Sequence, residues 1–156
     1  MEITSPKIFP FLWFKGQSKE AVAFYCTVFK NSKIRNSTEL MTEFELDGVP
    51  FIAIDGKENA VFNDAISFFV ACDDQEEIDY YWGKLKKNGG EEHHCGQLKD
   101  RFGLSWHIIP KQLGKLISDP DKEKSNRVLE VLIHSKKIKI NDLQNAYDGK
   151  EAVDGK

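Results

Sequence analysis

The residue types best suited to chemistry in this 156-residue chain gather between Cys95 and Pro110. His107 lies inside Leu104 to Ile109, an apolar run of strand length that follows a Gly103 turn. A titratable imidazole there has two readings. It is a general base or ligand-binding group lining a cavity, or a core histidine satisfied by backbone. His93-His94-Cys95 carry metal-ligand types. Side chains alternate along a strand, so His93 and Cys95 would share a face and His94 would not; two ligands without a third hold a metal weakly. Cys95 as a nucleophile would need a lowered pKa, for which Lys99 and Arg101 are the nearby charges; a buried structural thiol is the plainer alternative. Cys26 and Cys72 fall in apolar element interiors and read as core. Trp13 and Trp106 fall on strands and suit either a pocket for a flat ligand or core packing, whereas Trp82 belongs to a helix core face. Lys99-Asp100-Arg101 reads as a solvated hairpin, or as a charged loop screening substrates.

Composition removes several classes of function. The chain is 40% apolar and 12% aromatic, so it can build a core. A net charge of −3 with no basic run argues against nucleic acid as a partner. The longest apolar runs, such as Ile8 to Phe14, are too short to cross a bilayer. The opening residues lack the basic and apolar regions of a secretory signal. The three cysteines have no metal-type CxxC spacing, which suits reduced thiols in a cytoplasmic protein.

The elements that must position these residues follow from periodicity. Residues 7–14 read as a buried strand, with Pro10 favouring an edge or bulge. A helix over about 18–30 presents Val22, Tyr25, Cys26 and Phe29 on one face. One or two strands follow over 33–46, then the hairpin signal Asp47-Gly48 and a strand over 50–55. The order then repeats. Ala65 to Cys72 is a strand, and Asp73-Asp74 opens a helix with Glu76 or Glu77 placed for a capping box. That helix carries Ile78, Tyr81, Trp82 and Leu85 on one face and stops at Asn88-Gly89-Gly90. Strands at about 92–99 and 104–110 follow. Phe14, Glu20, Val22, Phe24 and Tyr25 superpose on Val70, Glu76, Ile78, Tyr80 and Tyr81 at a constant offset. The chain therefore reads as an α+β fold of two β-α-β-β-β modules, about 7–56 and 64–110. Helices over 111–148 complete a single domain, 1–149, docking on the sheet or across a dimer contact. Ser118-Asp119-Pro120-Asp121 starts one of them, with Val128, Leu129, Leu132 and Ile133 on one face. Residues 150–156 read as a tail.

Phe11-Leu12-Trp13-Phe14 followed by a Gly turn and Glu20-Ala21-Val22-Ala23-Phe24-Tyr25 resembles the opening of PhnB-like proteins. So do Met41-Thr42-Glu43-Phe44-Glu45-Leu46-Asp47-Gly48, Cys72-Asp73-Asp74-Gln75-Glu76-Glu77 with Tyr81-Trp82, Cys95-Gly96 with Leu98 to Trp106, and Arg127-Val128-Leu129-Glu130. The resemblance spans about residues 7–148. These proteins belong to the vicinal-oxygen-chelate superfamily, with glyoxalase I, bleomycin-resistance proteins and extradiol dioxygenases, and many carry the label 3-demethylubiquinone-9 3-methyltransferase. The resemblance implies two βαβββ modules whose mixed sheet curls into a cup, commonly in a homodimer. The lining of the cup would include His107, Trp13, Trp106, Leu12, Ser67 and Cys95.

Catalytic relatives hold a divalent metal on His and Glu from the first and last strands of each module. The matching positions here are about Pro10, Ile66 or Ser67, and Phe51, Ile52 or Ala53; only His107 is a ligand type, and close relatives often have Gln there. One imidazole does not hold Zn²⁺ or Fe²⁺. The connection Arg35 to Leu40 is shorter than is common in the family, and Gln97 stands where Trp is frequent. No GxGxG run of the kind that binds S-adenosylmethionine occurs; Asn88-Gly89-Gly90 follows a helix. The expectation is a metal-independent, cofactor-free protein that binds a small apolar or aromatic molecule near His107. The alternatives are a metal-dependent isomerase, lyase or dioxygenase using His93, Glu43 or Glu45, and the methyltransferase of the label.

Overall fold

The structure is a computed structural model and describes residues 6–56 and 59–150. The chain divides into two compact units, Met1–Phe62 and Asn63–Lys156.

The first unit contains β1 (Phe11–Phe14), α1 (Ser18–Val28), β2 (Ser32–Ser37), β3 (Met41–Leu46) and β4 (Val49–Asp55). Its four-stranded sheet has the order β1-β4-β3-β2, with β1 parallel to β4 and the other pairs antiparallel. The first strand is shorter than periodicity predicts. Pro10 has no N–H to give to a ladder, and only its carbonyl joins, accepting from the Ile52 amide at 3.1 Å. Ala21, Val22, Tyr25 and Val28 form the fully buried stripe of α1, at helical spacing. Tyr25 stacks on Phe44, and Phe44 on Phe51 with ring centroids 5.1 Å apart. Each fully buried valine of that stripe contributes about 1.5–3 kcal/mol. Gln17 gives α1 no side-chain cap. Asp55, at the end of β4, serves instead, accepting from Ser18 N at 2.8 Å and Ser18 Oγ at 2.9 Å. Asp47 and Gly48 have φ of 47° and 79°, the signature of the tight turn that their types signal. Cys26, expected in the core, is only half-buried, because it sits one position beyond the Tyr25 stripe.

The second unit repeats the order with β5 (Phe68–Cys72), α2 (Gln75–Lys86), β6 (Glu91–Glu92), β7 (Gln97–Lys99) and β8 (Ser105–Pro110). The sheet order is β5-β8-β7-β6, with β5 parallel to β8. Asp74 caps α2, accepting from Glu77 N at 2.9 Å, while Glu77 reaches back to Asp73 N at 2.7 Å. Ile78, Trp82 and Leu85 are its buried stripe. The architecture is α+β: two four-stranded mixed sheets, each built β-α-β-β-β, with helices after the second.

Two expectations in this unit need correction. Residues 92–99 are not one strand. Cys95 and Gly96 have φ of 60° and 76° and turn the chain between β6 and β7. A Cβ on Gly96 would lie 2.9 Å from Ile108 O, Ile109 Cδ1 and Ile138 Cδ1, so glycine is required there. His93 and Cys95 therefore do not share a strand face. Nor is Asp100 a solvated charge. It is 3% exposed and accepts from Phe102 N, Leu104 N and Trp106 Nε1 at 2.8, 3.1 and 2.8 Å. A short acidic side chain entering a Gly turn can fold back on its own loop, and this one does.

The helices α3 (Leu113–Ile117), α4 (Lys122–His134) and α5 (Ile140–Tyr147) dock on the second unit's own sheet. Leu113, Leu116, Val128, Ile138 and Leu143 pack with Ile109 of β8. Cys95 N donates to Ser135 O at 2.7 Å and Gly96 N to Lys136 O at 2.9 Å, binding the β6–β7 turn to the α4–α5 connection. Gln75 bridges α2 to the same connection, donating to Ile138 O and accepting from Ile140 N. Arg127 caps α5, donating to Ala146 O and Tyr147 O. Leu129 and Ile133, expected on the packed face of α4, are exposed; the stripe runs instead through Ser125 and Val128. The predicted tail lies, from residue 151 on, outside the described residues.

Candidate functional site

Each sheet has a face covered by its first helix and a second face turned away from it; in the second unit the C-terminal helices cover the Ile109 end of that second face. The strand registers assign the residues of that second face. In the second unit His107 of β8 stands between Phe69 of β5 and Gln97 of β7. Ser105 and Lys99 form the next row. Leu98, Trp106 and Ile108, one residue out of step, are buried on the α2 side.

His107 Nδ1 lies 2.6 Å from Ser67 Oγ, and the ring is part-buried. Burial holds its pKa below the ordinary histidine value and so favours the neutral imidazole. Its Nε2 makes no hydrogen bond among the described residues. Gln97 Nε2, on the neighbouring strand, is inaccessible to solvent and also has no hydrogen-bond partner among the described residues. His93 Nε2 is in the same condition, 3.9 Å from Glu91 Oε2. Lys99 is not a free cation; its Nζ lies 2.9 Å from Asp64 Oδ1. That hydrogen bond, ahead of the charges of Lys99 and His93, holds the Asp64 carboxyl below its usual range. Ser105 Oγ contacts the same oxygen at 3.4 Å.

The expected site residues divide. Ser67 and His107 come together. Trp106 lies on the opposite, α2-covered face, tied to Asp100. Cys95 sits in the turn beside α4, outside the row of His107. Trp13 is on the uncovered face of the first sheet, 41% exposed, packed over Gly56, where an added Cβ would meet its ring at 2.4 Å. Leu12, one residue out of step, is buried on the α1 side. Asp64 and Phe69 were not foreseen. Period-two counting back from His107 along β8 and β5 finds the face of Phe69, but not the long-range contacts of Asp64.

The metal expected of catalytic relatives does not fit these residues. At the matching positions Pro10, Ile66, Phe51, Ile52 and Ala53 carry no ligand side chain, Ser67 is bonded to His107, and Glu45 is paired with Arg35 and Lys33. No group of three or more His, Cys, Asp or Glu among the described residues could hold an ion. A cleft of about 540 Å³ elsewhere in the second unit is lined by Asp73, Gln75, Asp79 and Lys137 among others, and none of the expected site residues lines it. Asp79 is bonded there to Lys137 and Gln75.

The profile of the 3-demethylubiquinone-9 3-methyltransferase family matches residues 6–109. A solved PhnB protein from Bacillus cereus, a putative 3-demethylubiquinone-9 3-methyltransferase, is 30% identical and superposes with a TM-score of 0.60, covering 67% of this chain and 99% of its own. The chain belongs to this PhnB-like family. Protein PA1353 from Pseudomonas aeruginosa shares the fold at 17% identity and a TM-score of 0.58, over 69% of this chain and 98% of its own. So does the fosfomycin resistance protein FosX of Listeria monocytogenes, at 17% identity and 0.53, over 69% and 94%. No functionally curated protein matches the sequence. No helix of the described PhnB-like chain is long and apolar enough to cross a membrane.

Proposed function

We propose that this PhnB-like chain binds a small molecule on the face of its second sheet away from α2, beside the end that the C-terminal helices cover, with His107 as the polar anchor and without the superfamily metal. One observation carries the reading. His107 is held by Ser67 on one nitrogen, while the other nitrogen and the neighbouring Gln97 amide have no hydrogen-bond partners among the described residues. Buried polar groups are normally satisfied, and a site that leaves them open is built for an incoming one. Methyl transfer is not assigned. Asp73 and Asp74 occupy the link between β5 and α2, where a glycine-rich turn for S-adenosylmethionine would stand. In keeping with the family resemblance, the working form is a cytoplasmic homodimer in which residues 1–149 act as one domain.

Native mass spectrometry before and after mild denaturation, with the His107→Phe variant alongside, tests the reading. The expected result is a metal-free dimer. Small-molecule mass added from a fragment mixture should be retained by the wild type and lost from the variant. About one divalent ion per subunit, or equal retention by the variant, would overturn it.

A further inference from the structure

We infer that the ligand of this face is an uncharged carbonyl compound, an amide or ketone with a flat apolar body, and that Gln97 selects it. The inference rests on the proposed binding role of His107 and adds the chemical class.

Three observations carry it. The first is the pair of open donors. Gln97 Nε2 has no hydrogen-bond partner among the described residues and stands directly beside His107 in the β7–β8 register; it is closed to solvent at rest, so a ligand reaches it by a turn of the Gln97 side chain. Directly opposed side chains on antiparallel strands have Cβ atoms about 4.5–5.5 Å apart, so both groups can reach one ligand atom. When the Ser67 hydroxyl donates to Nδ1, the neutral ring carries its proton on Nε2. Two N–H donors are then available from paired residues, which suits the two lone pairs of a carbonyl oxygen.

The second observation is charge. An anion would be held by an uncompensated cation, and the face offers none among these residues. Lys99 is neutralised by Asp64, and burial favours the neutral form of His107. A cation would need a free carboxylate, and Asp64 is engaged. A neutral oxygen acceptor is the group that satisfies the donors without leaving a charge unpaired.

The third is Phe69. It stands in the same row as His107 and Gln97, and the residue is 66% exposed. An exposed aromatic ring beside two donors offers a surface for the flat part of such a molecule. A buried amide donor without a partner costs stability in the absence of a ligand. A group kept in that condition marks a functional position, and its replacement should improve folding while damaging binding.

The test is a set of isosteric probes titrated into the full-length, isotope-labelled protein and read by NMR. Benzamide supplies a neutral carbonyl, benzoate an anion and benzylamine a cation. Benzamide should shift the Gln97 side-chain amide and the His107 ring, with a dissociation constant at least about tenfold below those of the other two. Gln97→Leu should weaken benzamide about tenfold and leave the unfolding midpoint equal or higher. Gln97→Glu should lose benzamide and gain benzylamine. Benzoate or benzylamine binding as well as benzamide to the wild type overturns the ligand class and leaves the His107 reading standing. A Gln97→Leu variant that binds normally overturns the role of Gln97. If no probe moves His107, Ser67 or Gln97, the underlying reading fails with it.

Discussion

Ile52 on the first sheet and His107 on the second occupy the same kind of position. Each lies on the last strand of its module, on the face away from the helix. Ile52 stands between Phe11 of β1 and Glu43 of β3; His107 stands between Phe69 of β5 and Gln97 of β7. Both rows begin with a phenylalanine and end with a side chain of the same length, Glu or Gln. The centre differs. The first sheet continues apolar through Trp13 and Ile54; the second sets Ser67 against its imidazole and follows with a polar row in which Ser105 and Lys99 meet Asp64. A repeated topology fixes where a central residue points, and under the proposed reading the side-chain chemistry at that point separates the copy that recognises a polar ligand from the one that does not.

The comparison can be broken or sharpened by experiment. The largest effect concerns thiols. Cys72 is fully buried on β5, and burial, then the nearby Glu77, Asp73 and Asp74, push its thiol up to about 12. Iodoacetamide should alkylate Cys72 about a thousandfold more slowly in the folded than in the unfolded protein. Cys26, half-buried in the first unit, should react first of these two; equal rates by peptide mass spectrometry would contradict the burial assigned to them.

The closing hairpins come next. In the first unit Asp47-Gly48 is shaped by backbone dihedrals, whereas Asp100 in the second binds three donors with its carboxylate. Asp100→Ala should cost about 3 kcal/mol in urea unfolding, because it strands buried N–H groups; Asp47→Gly should change stability by less than about 0.5 kcal/mol. Similar costs for the two would erase the distinction.

Exchanging the central residues asks the question directly. Ile52→His places an imidazole at a 4%-exposed position between Phe11 and Glu43 and should destabilise by about 2 kcal/mol. His107→Ile loses the Ser67 contact and should stay within about 1 kcal/mol of wild type. Equal penalties would mean that the two faces are equally packed.

The smallest effect is a pH slope. Burial lowers the His107 pKa, so the unfolded chain binds its proton more readily than the folded one. The neutral form's contribution is therefore present above the unfolded value of about 6.5 and is lost as pH falls below it. His107→Gln should flatten the fall in unfolding midpoint between pH 7 and pH 5. An unchanged slope would assign the loss to other groups.

Much of this was legible in the sequence. Helical spacing located α1 and α2, Asp47-Gly48 located its hairpin, and the repeated order of elements gave the two modules. Ser67 and His107 both belong to the expected lining, but their hydrogen bond is visible in three dimensions alone. What the sequence does not show depends on strand register and on contacts distant in sequence. Trp106 and Leu12 sit one residue out of step with His107 and Trp13, and that step puts a side chain on the opposite face. Asp100 looked solvated because its charge is visible in the sequence and its three donors are not. The His93–Cys95 run looked like strand because Gly96 alone did not reveal that the residue before it also takes a positive φ. Gln97 stood out only as a departure from the family; its unpaired amide is visible in three dimensions alone.

The stretch matched by the family profile stops at residue 109, and Ile109 is where the C-terminal cluster begins. The limit of the recognisable sequence is thus not the limit of cooperative folding. A polypeptide ended after residue 110 would keep every strand of both sheets and still lose the cover of Ile109 and the carbonyl acceptors of Ser135 and Lys136 for the β6–β7 turn. It should tend to aggregate or need a substitute surface, so the autonomous unit of this protein is longer than the part by which its kinship is recognised.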